Sequence, residues 1–283
     1  MIRQLSDEYP VSLLCEVLEI ARSTVYYEPQ VKPEDAVFLE AIERILMRWP
    51  FYGYRRVTAQ LKREGHEIGE TRVRRLLRQI DHSCSVGRVR VTTTDSQHDE
   101  PRYPNLVRDL EVIRPNQVWV ADITYIRLGR RFVYLAIILD ACTRGLRGWH
   151  LSRSLEAKDL TSAALKMALA RHGAPDIHHS DQGKQYAAAA YRELLPEATQ
   201  ISMAAVGQPT ENSIAERFIR TLKEEHIDYS DYRDFDDAFE QLAHWLEIEY
   251  MTERIHSSLG YLTPAEFEAA YFVNQSDSLL AQA

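Results

Sequence analysis

The 283-residue sequence predicts an α/β fold: a mixed sheet with helices on its faces, preceded by a small helical region. Three observations predict it. Apolar residues recur at helical spacing up to about residue 80, and strand-like runs begin abruptly at Gln117. Three closely spaced strand-like runs then come first, followed by alternating helical and extended segments, the pattern of a meander joined to crossover units. Hydrophobic residues make up 45% of the chain, which is enough for a sizeable core.

The helical region begins with residues 11 to 28, read as two short helices joined by a turn at Ile20-Ala21-Arg22-Ser23, with Ser23 or Thr24 placed to cap the second. A second helical pair covers 54 to 80. Val57 and Leu61 share one face, and Gly65 supplies a C-terminal stop. Val73, Leu76, Leu77 and Ile80 then form an apolar stripe, and Arg72, Arg74, Arg75 and Arg78 occupy the other faces. That arrangement suits a helix lying on DNA phosphates. A solvated surface helix is the alternative.

Charge distribution says more than the total. The formal net charge is −8, yet from Arg44 to Arg90 there are 12 basic residues against 4 acidic ones. From Glu216 to Ala270 there are 5 against 14. A basic module is carried on an acidic chain, as expected for a protein that presents one surface to nucleic acid. Three scattered cysteines (Cys15, Cys84 and Cys142) give neither a disulfide framework nor zinc-ligand spacing. With no apolar run of membrane-spanning length and no secretory pattern, the cytoplasm is the expected compartment.

Residues 82 to 116 have no period and read as a linker. Beyond it, Val118 to Leu128 alternates, Gly129-Arg130 allows a tight turn, and Phe132 to Leu139 is apolar throughout, as in a strand covered on both faces. A third strand is expected over Arg144 to Leu151, a helix over Leu155 to His172, and a short strand over Ile177 to Ser180. A helix near 188 to 195, a strand at Ile201 to Met203 and a helix from Ser213 complete five strands. The expected division is 1–81 helical, 82–116 linker, 117–228 α/β core and 229–283 helical extension.

Three carboxylates in the core carry the chemistry. Asp122 interrupts an otherwise apolar strand, where a carboxylate needs a partner or must shed its charge. Asp181 stands at the carboxyl end of a strand, where open α/β sheets place their ligands. Glu216 lies at the start of a helix. Three acids from separate elements fit a pair of divalent ions roughly 3.5–4 Å apart that clamp an in-line displacement at phosphorus. Mg²⁺, with Mn²⁺ as a substitute, suits an all-oxygen set. Each residue also has a structural reading: Asp181 as the start of a turn with Gly183, Glu216 as the partner of Ser213 in a capping box, and Asp122 as the partner of an arginine. Arg220 and Lys223 follow Glu216 on its own helix face and suit DNA contact, the alternative being surface pairing such as Arg220 with Glu224.

The same segments resemble a known family. Trp-Val-Ala-Asp-Ile-Thr-Tyr, His-Ser-Asp-Gln-Gly-Lys-Gln-Tyr and Glu-Asn-Ser-Ile-Ala-Glu-Arg-Phe look like the three acidic motifs of bacterial insertion-sequence transposases, specifically the second-frame (OrfB) product of elements encoded in two overlapping frames. The segment Cys15 to Tyr27, Tyr-Gly-Tyr-Arg-Arg-Val and the run from Arg254 to Glu266 resemble its helical N-terminal region and its C-terminal signature, so the likeness spans nearly the whole chain. It implies a ribonuclease H-like core similar to that of retroviral integrase, without the latter's zinc-binding His and Cys set. It also implies a catalytic and metal-binding triad of Asp122, Asp181 and Glu216, with Asn212 the asparagine that usually precedes the glutamate. Asp181 and Glu216 are 35 positions apart, one fewer than the commonest family spacing, and Glu211 stands where the family commonly has aspartate.

By resemblance the activity is metal-dependent strand cleavage followed by 3′-hydroxyl strand transfer. The partners are insertion-sequence ends and target DNA, an upstream-frame (OrfA) protein, and further copies of the chain assembled on DNA. The alternatives are a nuclease of the same fold, and a DNA-binding regulator or incomplete subunit that depends on the upstream-frame partner. At the C-terminal end, Thr263, Pro264 and Glu266 suit the first turn of a helix. Arg254 and His256 either touch DNA or pin the terminal segment to the core.

Overall fold

The computed structural model describes residues 9–26, 33–82, 103–205 and 209–280. Its N-terminal module contains α1 (Val11–Val17), α2 (Arg22–Val25), α3 (Pro33–Arg48), α4 (Tyr54–Arg63) and α5 (Glu70–Gln79). The turn before α2 is shorter than expected. Arg22 already begins the helix behind Ala21, so Ser23 and Thr24 lie inside it and no side chain caps it.

The sequence reading passed over α3, although Phe38, Ile42, Ile45 and Trp49 recur at helical spacing. Ile42, Ile45 and Trp49 are buried with Tyr52, Val57, Leu61, Val73 and Leu76 in the core of the module. Gly65, at φ +86°, takes the left-handed conformation that ends α4.

The sheet has five strands: β1 (Val118–Leu128), β2 (Arg131–Asp140), β3 (Leu146–Ser152), β4 (Ile177–Ser180) and β5 (Gln200–Met203). Their order is β3-β2-β1-β4-β5. The first three form an antiparallel meander, and β4 and β5 add in parallel. This mixed five-stranded arrangement is the expected ribonuclease H-like one.

The helix α6 (Thr161–His172) connects β3 to β4, starting six residues later than expected because 155–160 is non-helical, with turns over 157–160. The helix expected near 188–195 is two single-turn pieces, α7 (Lys184–Ala187) and α8 (Ala189–Arg192). They are followed, after β5, by α9 (Ser213–Glu225) and α10 (Phe235–His244), then by a π-helical segment Trp245–Glu253, and finally by α11 (Pro264–Leu280).

Side-chain alternation along β1 divides the core between the two faces of the sheet. Val118, Val120 and Ile126 pack on Phe218 and Leu222 of α9 and on Leu242, Trp245 and Tyr250. Trp119 and Ala121 pack on the other side with Leu160, Ala164, Leu165, Tyr186 and Tyr191. The region expected as a separate C-terminal extension therefore supplies one wall of the main core. The described end of the linker, residues 103–116, also packs against the core. Residues 83–102 lie outside the described residues, but Leu106 N donates to Ser202 Oγ at 2.9 Å, and Val107 and Val112 pack against the sheet.

The helical module is fastened to the C-terminal segment. Arg254 is 2% exposed and grips Glu225 through Nε and Nη2, both at 2.6 Å, while Arg56 reaches the same carboxylate at 3.4 Å. Tyr52 Oη accepts from Ile255 N at 3.2 Å, and Arg63 bonds Glu266 at 2.5 Å. Thr263 and Glu266 form the expected reciprocal cap, with Thr263 N to Glu266 Oε2 at 2.8 Å and Glu266 N to Thr263 Oγ1 at 3.2 Å. Of the two readings for Arg254 and His256, the pinning role is the one the geometry supports.

Two stability predictions follow from this packing. A Cβ on Gly148 would lie 2.3 Å from Ala164 O and 2.9 Å from Ala168 N of α6. Gly148→Ala is therefore expected to destabilise the fold by about 1–3 kcal/mol in chemical denaturation, because backbone has to move.

Burial, together with the charges of Arg254 and Arg56, pushes His256 down to about 2 from its ordinary 6.5. The unfolded chain takes up a proton near 6.5 that the folded chain refuses, so stability is full above that pH and falls as pH drops below it. His256→Gln should flatten the fall in thermal midpoint between pH 6.5 and 4 by up to one proton's worth, about 1.4 kcal/mol per pH unit. His178 (about 3) and His226 (about 4) leave residual slope of the same sign.

Candidate active site

The parallel pairing of β1 with β4 builds the site. Ala121 is in register with Ser180, so Asp122 and Asp181 are the next residues on two neighbouring strands, at the point where β4 ends and β1 continues. Adjacent strands run about 4.8 Å apart, which sets the scale of their separation. By alternation, Asp122 shares a face with Val118 and Val120, the face covered by α9. Glu216, in the first turn of α9, is brought to the same place.

Asn212 fixes how α9 meets the strand. Its Nδ2 donates to Ala121 O at 3.0 Å, and the residue is 4% exposed. The amide nitrogen of Asn212, expected to contact DNA, is thus engaged with the strand beneath the helix, while its Oδ1 has no hydrogen-bond partner. The structural alternative for Glu216, a capping box with Ser213, is not formed, since no side-chain hydrogen bond caps α9.

The electrostatics separate the half-buried Asp122 from Asp140, the buried acid of the meander. Asp140, at the end of β2, accepts from the backbone N–H groups of Asn116, Cys142 and Thr143 at 2.6, 2.9 and 2.9 Å, and it pairs with Arg147 at 3.1 Å. It is a structural acid with its lone pairs occupied.

Asp122 accepts Ile123 N at 2.8 Å and has no arginine partner among the described residues. Burial holds its pKa well above the usual carboxylate range, Asp181 and Glu216 push it further up, and Lys223 opposes them. Glu216 is also raised, by burial and by Asp181, with Arg220 opposing. Asp181 Oδ1 accepts Gly183 N at 3.0 Å, the turn expected from its sequence.

The three acids, Arg220 and Lys223 thus share one patch, and no ion pair joins Arg220 to Glu224 among the described residues. The acids are not closed around a point: no three described His, Cys, Asp or Glu side chains are arranged to hold a metal ion directly. An all-oxygen donor set spread over two strand ends and a helix still fits a hard cation that keeps several waters.

The arginines of α5 divide differently from the sequence reading. Arg72 and Arg75, expected to suit DNA phosphates, clamp the fully buried Asp35 of α3, Arg72 Nε at 2.8 Å and Arg75 Nη2 at 2.8 Å, and so are engaged within the module. A buried carboxylate attracts whatever cation can reach it. Arg74 bonds Tyr54 Oη and lies 3.9 Å over that ring. Arg78 is exposed on the outer face of α5.

Two further residues belong here: Glu211, noted in the sequence only for standing where the family commonly has aspartate, and Tyr186, which the sequence reading missed. Glu211 ties the linker to the site: it pairs with Arg108 and accepts Ala205 N at 2.7 Å, and these donors pull its carboxyl down to about 2. Tyr186 is 3% exposed and its hydroxyl has no hydrogen-bond partner; burial holds its pKa well above the usual range, and Tyr191, Asp122 and Asp181 push it further up. Its place five residues after Asp181 was the available signal.

A ribonuclease H-like sheet carrying three acids at this position defines an integrase-type core. Integrase core domain models match residues 113–209 and 197–264, and an HTH-like domain model matches residues 32–89. A 31 kDa protein of insertion element IS600 from Shigella sonnei is 34% identical over 91% of this chain and 98% of its own. The transposase for insertion sequence element IS629, also from Shigella sonnei, is 30% identical over 99% of each chain. Transposase InsF for insertion sequence IS3A from Escherichia coli strain K12 is 31% identical over 92% of this chain and 94% of its own. The chain belongs to the insertion-sequence transposases of the two-reading-frame, second-frame type, a family of polynucleotidyl transferases acting on DNA. No described helix is long and apolar enough to cross a membrane.

Asn212→Ala is expected to cost about 1–3 kcal/mol in unfolding free energy, because Ala121 O loses its donor in a buried site. It should also lower strand cleavage more than DNA affinity, which parallel unfolding, binding and cleavage measurements would show.

Proposed function

We propose that the chain cleaves the ends of an insertion sequence and joins them to target DNA, and that Asp122, Asp181 and Glu216 are the residues that hold the divalent ions, Mg²⁺ or Mn²⁺, for both steps. The observation that carries this reading is Asp122: a half-buried strand acid with one backbone donor, raised by two neighbouring acids, in contrast to Asp140 at the end of β2, whose partners are complete. A fold tolerates such a concentration of like charge when a ligand cation relieves it. Bound ions would activate the attacking oxygen and stabilise the leaving one.

The chain's own groups do the positioning. Asp122 and Asp181 present oxygens from adjacent strand ends, and Glu216 presents its own across the groove from α9. Arg220 and Lys223, one and two turns further along α9, hold the non-bridging oxygens of the scissile phosphate. In the first step water attacks phosphorus and frees a 3′-hydroxyl. In the second, that hydroxyl attacks a target phosphodiester: one P–O bond forms, one breaks, and the leaving 3′-oxygen takes the proton. No covalent bond between protein and DNA is needed.

The exposed Arg78 of α5 is the arginine of that helix best placed for DNA, with Arg74 beside it. We further infer that an upstream-frame protein joins the chain for recognition of the element's ends, and that two or more copies assemble on paired ends.

The test is Mg²⁺-dependent cleavage and joining of element ends by the full chain, alone and with its upstream-frame protein. Asp122→Asn, Asp181→Asn and Glu216→Gln should each lower both steps by about 10³-fold or more, with DNA affinity within a few-fold of wild type. Full activity in any one of them removes that residue from the site. Nicking without joined products would favour a plain nuclease, and inactivity under all conditions a DNA-binding regulator.

A further inference from the structure

The outer half of the β1–β2 hairpin stands clear of the rest of the sheet. β1 pairs with β4 only as far as Ala121, and β2 pairs with β3 only from Tyr134 onward. Between those points, residues 123 to 133 pair only with each other, through Leu128↔Arg131 and Gly129 at φ +59°. One face of this stretch is secured, since Ile126, Leu128 and Val133 pack into the core on the α9 side; the opposite face, close to a catalytic patch, calls for an explanation.

Its composition supplies one. No acidic residue occurs from Ile123 to Leu139, while Arg127, Arg130 and Arg131 crowd the tip and all three are exposed. None of the three has an acid partner among the described residues, and Arg127 Nε donates only to Gly129 O of the turn, at 3.2 Å. On a chain of net charge −8 this is a local exception.

Aromatic side chains share the face of the ribbon that carries Arg127. Phe132, 55% exposed, is in register with Arg127, and Tyr134 with Tyr125. Tyr125 lies edge-on to both Phe132 and Tyr134, at 6.4 and 5.1 Å. An exposed ring buttressed by a second ring and flanked by unpaired arginines is the make-up of a nucleic-acid platform: guanidinium groups for phosphates and a flat apolar surface for a base. The ribbon starts one residue after Asp122, and the charge of Asp181 reaches Tyr125.

We propose that this ribbon is a DNA-binding arm, in which Arg127, Arg130 and Arg131 grip the phosphates of the strand leaving the active site and Phe132 stacks on an unpaired base flanking the cut. The inference rests on the proposed DNA-cleaving function of the same site and adds where the substrate's flank is held and that the flank is unpaired. A two-stranded ribbon is of a size to enter the major groove, so duplex on either side is compatible with it.

The test uses the full chain and two labelled duplexes of arbitrary sequence, one flush-ended and one with a short unpaired flank. R130A/R131A should weaken binding to both, and the slope of log affinity against log salt should become shallower by about 1.8, the release expected for two phosphate contacts. Phe132→Ala should leave that slope unchanged and erase about tenfold of the preference for the unpaired flank, and Phe132→Trp should restore it. All these positions are exposed, and unchanged thermal midpoints would show that folding is intact.

Wild type that binds neither duplex would overturn the DNA-cleaving reading itself. Wild type that binds, with arm variants matching it in slope and flank preference, would overturn the arm alone. Variants that bind DNA normally but no longer self-associate would overturn it in favour of a contact between copies.

Discussion

The register of four residue pairs between β1 and β4 is the constraint on which the rest of the site depends. Val118 to Ala121 lie beside Ile177 to Ser180 in parallel. Side chains in a strand alternate with a strict period of two, so a slip of one residue would move Asp122 from the α9 face to the α6 face and separate it from Glu216. The register is held by what lies on either side. Trp119 and Ala121 are buried against α6 and α7, and Val118 and Val120 against α9. Moving either set would place large apolar groups in the wrong layer. The packing of the core and the placement of the acids are therefore one decision.

The acids sit in an environment that opposes their charge, and the fold treats its buried and half-buried acids in two ways. Asp140, Asp35 and Glu225 are each matched with donors or arginines. A matched buried pair is costly to form and more costly to break, so such residues define where elements dock rather than adding much net stability. Asp122 is left with one backbone donor and two acidic neighbours. That contrast, within one sheet, separates chemistry from architecture more clearly than the presence of an aspartate in a strand.

The same logic explains why the basic module is less available to DNA than its composition suggests. Arg72 and Arg75 are held by Asp35, Arg56 by Glu225, and Arg63 by Glu266. Those contacts bind α3 to α5 and lock the module onto the C-terminal segment through Arg254 and Tyr52. A surplus of positive charge in the sequence is partly an internal adhesive. What remains for phosphates among the described residues is the set on the outer faces, Arg55, Lys62, Arg74 and Arg78 in the module and the arginines at the hairpin tip.

Much of the core was determined by the sequence alone. The alternation of Val118 to Leu128, the apolar run after Gly129 and the short segment before Asp181 fix β1, β2 and β4 nearly to the residue, because period and turn chemistry are local properties. The capping pattern at Thr263 is local in the same way. The helix α3 was legible in the spacing of Phe38, Ile42 and Ile45 but was not read, and the late start of α6 was not legible, since residues 155–160 suit a helix yet form an irregular stretch and turns. Only the tertiary structure could decide that Asp140 is satisfied while Asp122 is not, that Asn212 faces a backbone carbonyl, and that Arg72 and Arg75 are taken by Asp35. These are questions of which partner arrives from a distant part of the chain, and partners over such separations are chosen by the packing of the whole core, which no local window of sequence contains.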